Sequence, residues 1–242
     1  MPPAEREVKQ VADYRTEWKY ICTDGQLELL QSRLGGLLPY DSHSAADGTY
    51  PVSSLYFDDF TDSCAASNEA GDGLRFKYRI RHYGQRASGL HLERKEKRYG
   101  LGGKVSCPVT RGEYDALLSG NVSEMFWSTE KPLLREFCAQ IMTRCFSPKV
   151  IIDYERTAFA EPAAHIRITL DRCISAGYDV PAFLEGDYLR FPLQCEHQNV
   201  LEVKFDTILP GWIRKMIESL HVQQTAFSKY YLGRKQLEDV LR

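Results

Sequence analysis

The sequence predicts an α+β domain, with amphipathic strands interleaved among capped helices. Two patterns carry that reading. Several strand-like stretches alternate charged residues on one face with apolar residues on the other. Between them lie segments of helical periodicity that open on capping residues or on proline. A third observation concerns charge. The stretch from Arg75 to Lys104 holds ten Lys or Arg and two Glu, while the 242-residue chain as a whole carries −2. A concentrated cationic stretch in a mildly acidic protein implies a strongly anionic partner.

Residues 1–12 read as a loose leader before one domain over 13–242. YRTEWKYIC (14–22) alternates as a strand, with Arg15, Glu17 and Lys19 on one face. Asp24 is placed to cap a helix to about Leu38, with Leu27, Leu30, Leu34 and Leu37 at helical spacing. Residues 41–49 are polar and turn-rich. A strand over 52–60 and a helical turn or loop over 61–72 follow. Two basic strands are expected at about 73–84 and 89–98, then a tight glycine turn, GLGGK, over 100–104. Thr110 and Glu113 form a capping box for a helix over 111–119. Pro132 fits the first position of an amphipathic helix over 132–145. Strands at 149–160 and 165–172 are joined by a turn at Pro162. Residues 175–198 read as irregular and 199–206 as the last strand. Pro210 opens a helix to about His221, and Ser228 caps a final helix to the C-terminus.

Composition excludes several classes. No apolar run is long enough to span a bilayer, and the N-terminus has no signal-peptide core, so a cytoplasmic location is expected. The seven cysteines are odd in number and contain no CxxC, and the histidines form no HxxxH or HxH pair. Neither a disulfide framework nor a zinc site is expected. There is no GxxxxGK[ST] and no kinase-type HRD or DFG set. The acidic overall charge and the placement of the bases on one strand face argue against nucleic acid.

Phosphate binding must therefore come from side chains on strands. On the first of the two basic strands, Arg75, Lys77, Arg79 and Arg81 share a face at a spacing of about 6.6 Å. Glu93 and Lys95, Arg167 and Asp171, and Glu202 and Lys204 repeat the theme. Arg156 is less clean, since its parity partners are Ile152 and Tyr154. If about eight such strands close into a barrel, the lumen can hold side chains and a ligand. Cations crowded there need an anion to offset repulsion and desolvation. A linear polyphosphate supplies one, and the interspersed Glu residues can hold a divalent cation that bridges phosphate oxygens. The alternatives are a solvated sheet face for the basic stretch, a cross-strand salt bridge for Glu202 and Lys204, and a solvated position for Lys229. Tyr14, Trp18, Phe57 and Phe159 read most simply as core.

The motifs YRTEWKY, SSLYFDD, RIRHYG, LERKE, the lysine of GLGGK, DYERTAF, IRITLD, LEVKF and FSKYYLG occur in this order over about 14–235. Together they resemble the VTC domain, the polyphosphate polymerase module of the vacuolar transporter chaperone family, within the CYTH-like triphosphate tunnel superfamily. The resemblance implies a closed antiparallel β-barrel of about eight strands, a basic tunnel with helices packed outside. It implies transfer of the γ-phosphate of ATP to a polyphosphate chain with Mn²⁺ or Mg²⁺. Carried over by motif, the substrate-binding bases are Lys19, Arg79, Arg81, Lys95, Lys104, Arg156, Arg167 and Lys229. Arg79, Arg81, Lys95 and Lys204 are expected around ATP, and Glu202, with Glu93 and Glu17, around the metal. Lys104, Arg156 and Lys229 rest mainly on the resemblance. Arg75, Lys77, Arg94, Lys97 and Arg98 are assigned to the tunnel mouth or to solvent.

One departure matters. Many members of the superfamily carry ExExK on the first strand, whereas this chain has Arg15-x-Glu17-x-Lys19. Loss of the first carboxylate leans toward the polymerase-like branch and away from two-metal hydrolases. The family's regulatory domain and membrane helices are not in this sequence, so a membrane-protein partner is expected for export of polymer. A hydrolase of tripolyphosphate or nucleoside triphosphates, and a non-catalytic polyphosphate-binding module, are the alternatives.

Overall fold

Among the described residues nine strands pair into a single antiparallel sheet, and seven helices accompany it. The protein is represented by a computed structural model that describes residues 13–41, 44, 48–84, 88–161, 165–193 and 197–240. The leader over 1–12, the turn at Pro162 and Cys195 lie outside the described residues. In chain order the first elements are β1 (Thr16–Thr23), α1 (Asp24–Gly35), β2 (Thr49–Asp58), α2 (Ser63–Glu69), β3 (Leu74–Tyr83), β4 (Ser88–Arg98) and β5 (Leu101–Val109). Then come α3 (Arg111–Ser119), α4 (Ser123–Ser128), α5 (Pro132–Arg144), β6 (Ser147–Glu161) and β7 (Ile166–Gly177). The chain continues with β8 (Phe191–Pro192), β9 (Gln198–Phe205), α6 (Gly211–Glu218) and α7 (Lys229–Val240).

The strand order is β1-β9-β7-β6-β2-β3-β4-β5, with the short β8 beside β7. The expected closed barrel of about eight strands is not formed. The end strands β1 and β5 are not joined by a ladder. They touch at one antiparallel bridge, where Arg15 N donates to Gly102 O and Gly102 N donates to Arg15 O, each at 2.9 Å. Beside that bridge β1 turns Glu17 toward β5, and its carboxylate lies 2.7 Å from where a side chain on Gly102 would begin. Only a glycine at position 102 leaves room for that carboxylate. The sheet still curls so far that side chains from β1, β2, β3, β4, β6 and β9 face one cavity.

Two apolar clusters hold the curl from outside. Leu27, Leu30 and Leu34 of α1 and Ile213 and Ile217 of α6 pack with Leu170, Leu201 and Val203. Leu134, Phe137 and Cys138 of α5 pack with Phe57, Tyr78, Ile80 and Leu92. Tyr78 stacks on Phe137 at 4.5 Å between ring centroids. Charged faces inward and apolar faces outward is the arrangement that strand alternation predicts, with helices supplying the apolar partner.

Local chemistry explains most boundaries. Thr110 and Glu113 make the expected reciprocal capping box. Helix α1 is capped by Thr23 with Gln26, one residue earlier than expected, and Asp24 takes the first turn. GLGGK is not a tight turn but opens β5. The hairpin loop is Tyr99-Gly100, both left-handed with φ of 45° and 91°, as a two-residue primed turn requires. Helix α4 was not expected, and the irregular stretch contains the end of β7 and all of β8. Among the described residues no disulfide forms, and Cys22, Cys64, Cys107 and Cys138 are buried as small core residues.

Candidate functional site

Eight cationic side chains line the cavity: Lys19 of β1, Lys77, Arg79 and Arg81 of β3, Lys95 of β4, Arg156 of β6, Lys204 of β9 and Lys229 of α7. Tyr56, Tyr154, Tyr230, Ser228 and Glu202 complete the wall, around about 470 Å³ of space that includes open solvent. The register explains the convergence. Arg79 lies opposite Tyr56, Arg81 opposite Ser54, Lys19 opposite Glu202 and Arg156 opposite Asp171. Strand β6 shifts register against β7 between Asp153 and Glu155. Its Tyr154 and Arg156 reach the cavity while Ile152 packs against Gly233 of α7.

Four carboxylates stand behind these cations. Glu93 accepts from Arg79 Nε at 2.6 Å and from Lys104 Nζ at 2.6 Å, with Arg81 at 3.9 Å. Asp171 accepts from Arg156 Nε and Nη2 at 2.6 and 2.8 Å, and from Lys229 Nζ at 2.7 Å. Glu202 pairs with Lys204 at 2.6 Å and Lys19 at 3.9 Å. Glu17 lies 3.5 Å from Lys19 and 4.0 Å from Lys95. Eight lining basic groups stand against four carboxylates, although the pull of Glu17 on Lys95 is outweighed by burial, Lys204 and Arg79, which hold that lysine well below the usual lysine range. Burial pushes the Glu93 and Glu202 carboxyls up, yet the adjoining Arg and Lys outweigh it and hold both well below the usual range. Burial pushes Asp171 the same way, and Arg156 and Lys229 hold it below that range. All four carboxylates are thus charged at neutral pH.

Tyrosines fix the arginines from the other side. Arg79 Nη1 donates to Tyr56 Oη at 2.8 Å, and Arg81 Nη2 donates to Tyr154 Oη at 2.8 Å. Each phenol oxygen accepts from a guanidinium, so its own O–H is left to donate. Arg81 Nε also donates to Ser54 Oγ at 2.9 Å. Arg156 and Lys229 lie over the Tyr154 ring at 5.0 and 4.9 Å. The guanidinium forks are therefore preorganised, which lowers the entropy cost of gripping an anion.

The carboxylates differ in what they can still bind. Both oxygens of Glu93 are taken by Arg79 and Lys104, and Glu93 is not part of the cavity wall. It acts as a buried counter-ion. Glu202 lines the cavity, and the Oε1 atom of the neighbouring Glu17 is buried with no hydrogen-bond partner. Burial and the Glu202 carboxylate push Glu17 up, but Lys19, Lys95 and Lys204 outweigh them and keep it below its ordinary value. An orphaned carboxylate oxygen beside a second carboxylate fits one hard cation, whose remaining ligands would be water and phosphate oxygens. Among the described residues no cluster of three or more His, Cys, Asp or Glu offers a fuller set.

Of the residues expected from sequence, Lys19, Arg79, Arg81, Lys95, Arg156, Lys204, Lys229 and Glu202 share the cavity wall. Lys104 is tied to Glu93 just outside it. Arg167 is not in the wall either, since it pairs with Asp41 and donates to Tyr50 Oη at 3.1 Å. Arg15 turns away to Asp206 at 2.9 Å. Lys77, assigned to the mouth or to solvent, lines the cavity, as do Tyr56, Tyr154, Ser228 and Tyr230. Strand parity with Arg79 was the available signal for Lys77.

The VTC domain description matches residues 14–238, and the chain belongs to that family. No curated protein matches the sequence. Among solved structures the fold is shared with proteins described as candidate adenylate cyclases. One, from Hippeastrum, is described as a candidate adenylyl cyclase with a dominant triphosphatase activity. It is 13% identical with a TM-score of 0.57, over 91% of this chain and 95% of that one. Another, a candidate adenylate cyclase from Bacillus halodurans, is 10% identical with a TM-score of 0.51, over 90% and 95% of the two chains. No helix among the described residues is long and apolar enough to cross a membrane.

Proposed function

We propose that the protein is a metal-dependent phosphotransferase of the polyphosphate polymerase type, moving the γ-phosphate of ATP onto a polyphosphate chain. The observation that carries this reading is the convergence of eight basic side chains, backed by four carboxylates, around one cavity. A linear anion with several charges complements it. The wall contains no cysteine or histidine. Phosphoryl transfer suits such a site, because it needs alignment and charge stabilisation more than covalent help.

The side chains divide the work. Arg79 and Arg81, held by Glu93, Tyr56 and Tyr154, grip non-bridging oxygens of adjacent phosphates. Arg156 and Lys229, held by Asp171, do so from the opposite wall. The free phenol protons of Tyr56 and Tyr154 can donate to the same oxygens. Lys19, Lys95 and Lys204 surround Glu17 and Glu202. A divalent cation, Mn²⁺ or Mg²⁺, held by Glu202 and Glu17 would neutralise phosphate oxygens further. Among the described residues only these two carboxylates are placed for it, in keeping with one metal rather than two, and Arg15 pairs with Asp206 instead. The acceptor, a terminal phosphate oxygen, is already anionic and needs no general base.

The orphaned oxygen of Glu17 favours one rival reading, a triphosphate hydrolase, since it can accept a hydrogen bond from an attacking water. ³¹P NMR of purified protein with ATP and Mn²⁺ separates the readings. Growing mid-chain and end-group polyphosphate signals support the polymerase, orthophosphate alone the hydrolase, and bound but unchanged ATP a binding module.

A further inference from the structure

Lys77 differs from every other cation in the cavity wall. The other seven each have a carboxylate within 4.0 Å. Among the described residues, Lys77 has none. Its Nζ donates to Asn68 Oδ1 at 3.2 Å and to Ser228 Oγ at 3.1 Å, and lies 5.0 Å from the centre of the Tyr230 ring. These partners come from α2 and from the start of α7, and all are neutral. Directly across the sheet Lys77 is paired with Lys95, which is paired in turn with Lys104. Three lysines thus stand side by side over β3, β4 and β5; Glu93 offsets Lys104 and Glu17 lies by Lys95, so Lys77 is the member of the row with no carboxylate beside it among the described residues. Along β3 Lys77 continues the row of Arg81 and Arg79 at a step of about 6.6 Å.

We infer that Lys77 is a further anion-binding residue of this cavity, whose neutral surroundings leave a bound polyanion to supply its counter-charge, so that anion binding is coupled to proton uptake. The inference deepens the proposed function and rests on its phosphate-binding cavity. The groups facing Lys77 set its behaviour. Burial comes first, then repulsion from Lys19 of β1, from Arg75 and from Arg79, and together they outweigh the opposing effect of Cys64 of α2 and bring its pKa down to about 7. Asn68, Ser228 and Tyr230 supply hydrogen bonds or a ring face but no negative charge. A phosphate within reach supplies that charge and restores the proton.

Calorimetry of inorganic tripolyphosphate binding, without metal and in buffers of different ionisation enthalpy, measures the protons taken up. Compared with Lys77→Arg, which stays charged, the wild type should take up about half a proton more at about pH 7, the share missing from a group of that pKa. Protons exchanged by the tripolyphosphate itself cancel in this difference. Equal uptake in two binding-competent proteins overturns the inference and leaves the phosphate cavity standing. Absence of binding to the wild type overturns the cavity reading, and this inference with it. Lys77→Met gives a second route should arginine fit badly. The affinity advantage of the wild type over Lys77→Met should fall by roughly tenfold between about pH 7 and about pH 8.5. A pH-independent ratio overturns the coupling.

Discussion

Asp171→Asn is the most informative perturbation of the site, because this carboxylate holds two cations at once. It is fully buried and accepts two bonds from Arg156 and one from Lys229. Asparagine keeps the size but removes the charge, leaving both cations without their counter-ion. Breaking a buried pair from one side costs about 3–5 kcal/mol. In a domain of this size each kcal/mol lowers Tm by about 2–4 °C, so a fall of about 6–20 °C is expected. The same change frees Arg156 and Lys229 for an anion, so saturating tripolyphosphate should raise Tm more in the variant than in the wild type. The pH dependence follows from sign. The folded carboxyl titrates below its unfolded value, because Arg156 and Lys229 outweigh burial. Its contribution is complete above about pH 4–5 and is lost as pH falls through the folded value. The variant should therefore show a flatter acid limb. Differential scanning fluorimetry from acid to neutral pH, with and without tripolyphosphate, reads all three effects. A Tm within about 2 °C of wild type, or rescue no larger than wild type shows, would refute the counter-ion argument.

Three further outcomes are expected. Arg79→Ala and Arg81→Ala should each weaken tripolyphosphate binding more than tenfold by calorimetry, about 1.4 kcal/mol or more, since each removes a preorganised guanidinium; unchanged binding in both would place these arginines outside the site. Glu202→Gln should abolish the Mn²⁺ dependence of turnover while metal-free tripolyphosphate binds at least as tightly, because the wall loses a negative charge; an unaltered metal titration would remove Glu202 from the metal site. Gly102→Ala puts a methyl 2.7 Å from Glu17 Oε2 and should displace that carboxylate. Turnover should drop severalfold with Tm lowered by only a few degrees, and wild-type kinetics would mean that Glu17 has room to move.

Much of the site was legible along the chain because strand alternation is local. Arg79 and Arg81 on one face of β3, Lys19 on β1, and Glu202 with Lys204 on β9 all follow from a period of two, and all line the cavity. The capping box at Thr110 and Glu113 and the proline at the start of α5 follow from hydrogen bonds within a few residues. Parity also placed Lys77 beside Arg79, yet its neutral surroundings are built by Asn68 and Ser228, remote from each other in the chain.

What the sequence by itself determined was the faces: which residues of each strand are charged, which are apolar, and where helices begin. Only the tertiary structure decided what stands opposite each charge. Glu93 became the counter-ion of Arg79 and Lys104, Asp171 that of Arg156 and Lys229, and Arg167 went to Asp41 instead of the cavity wall. The curl of the sheet and the single bridge at Gly102 were likewise beyond local pattern. The physical reason is that alternation fixes a side chain's direction from its own backbone, whereas its partner depends on strand order, register and twist. Those are set by contacts between segments more than a hundred residues apart, as when Lys19 meets Glu202 across β1 and β9.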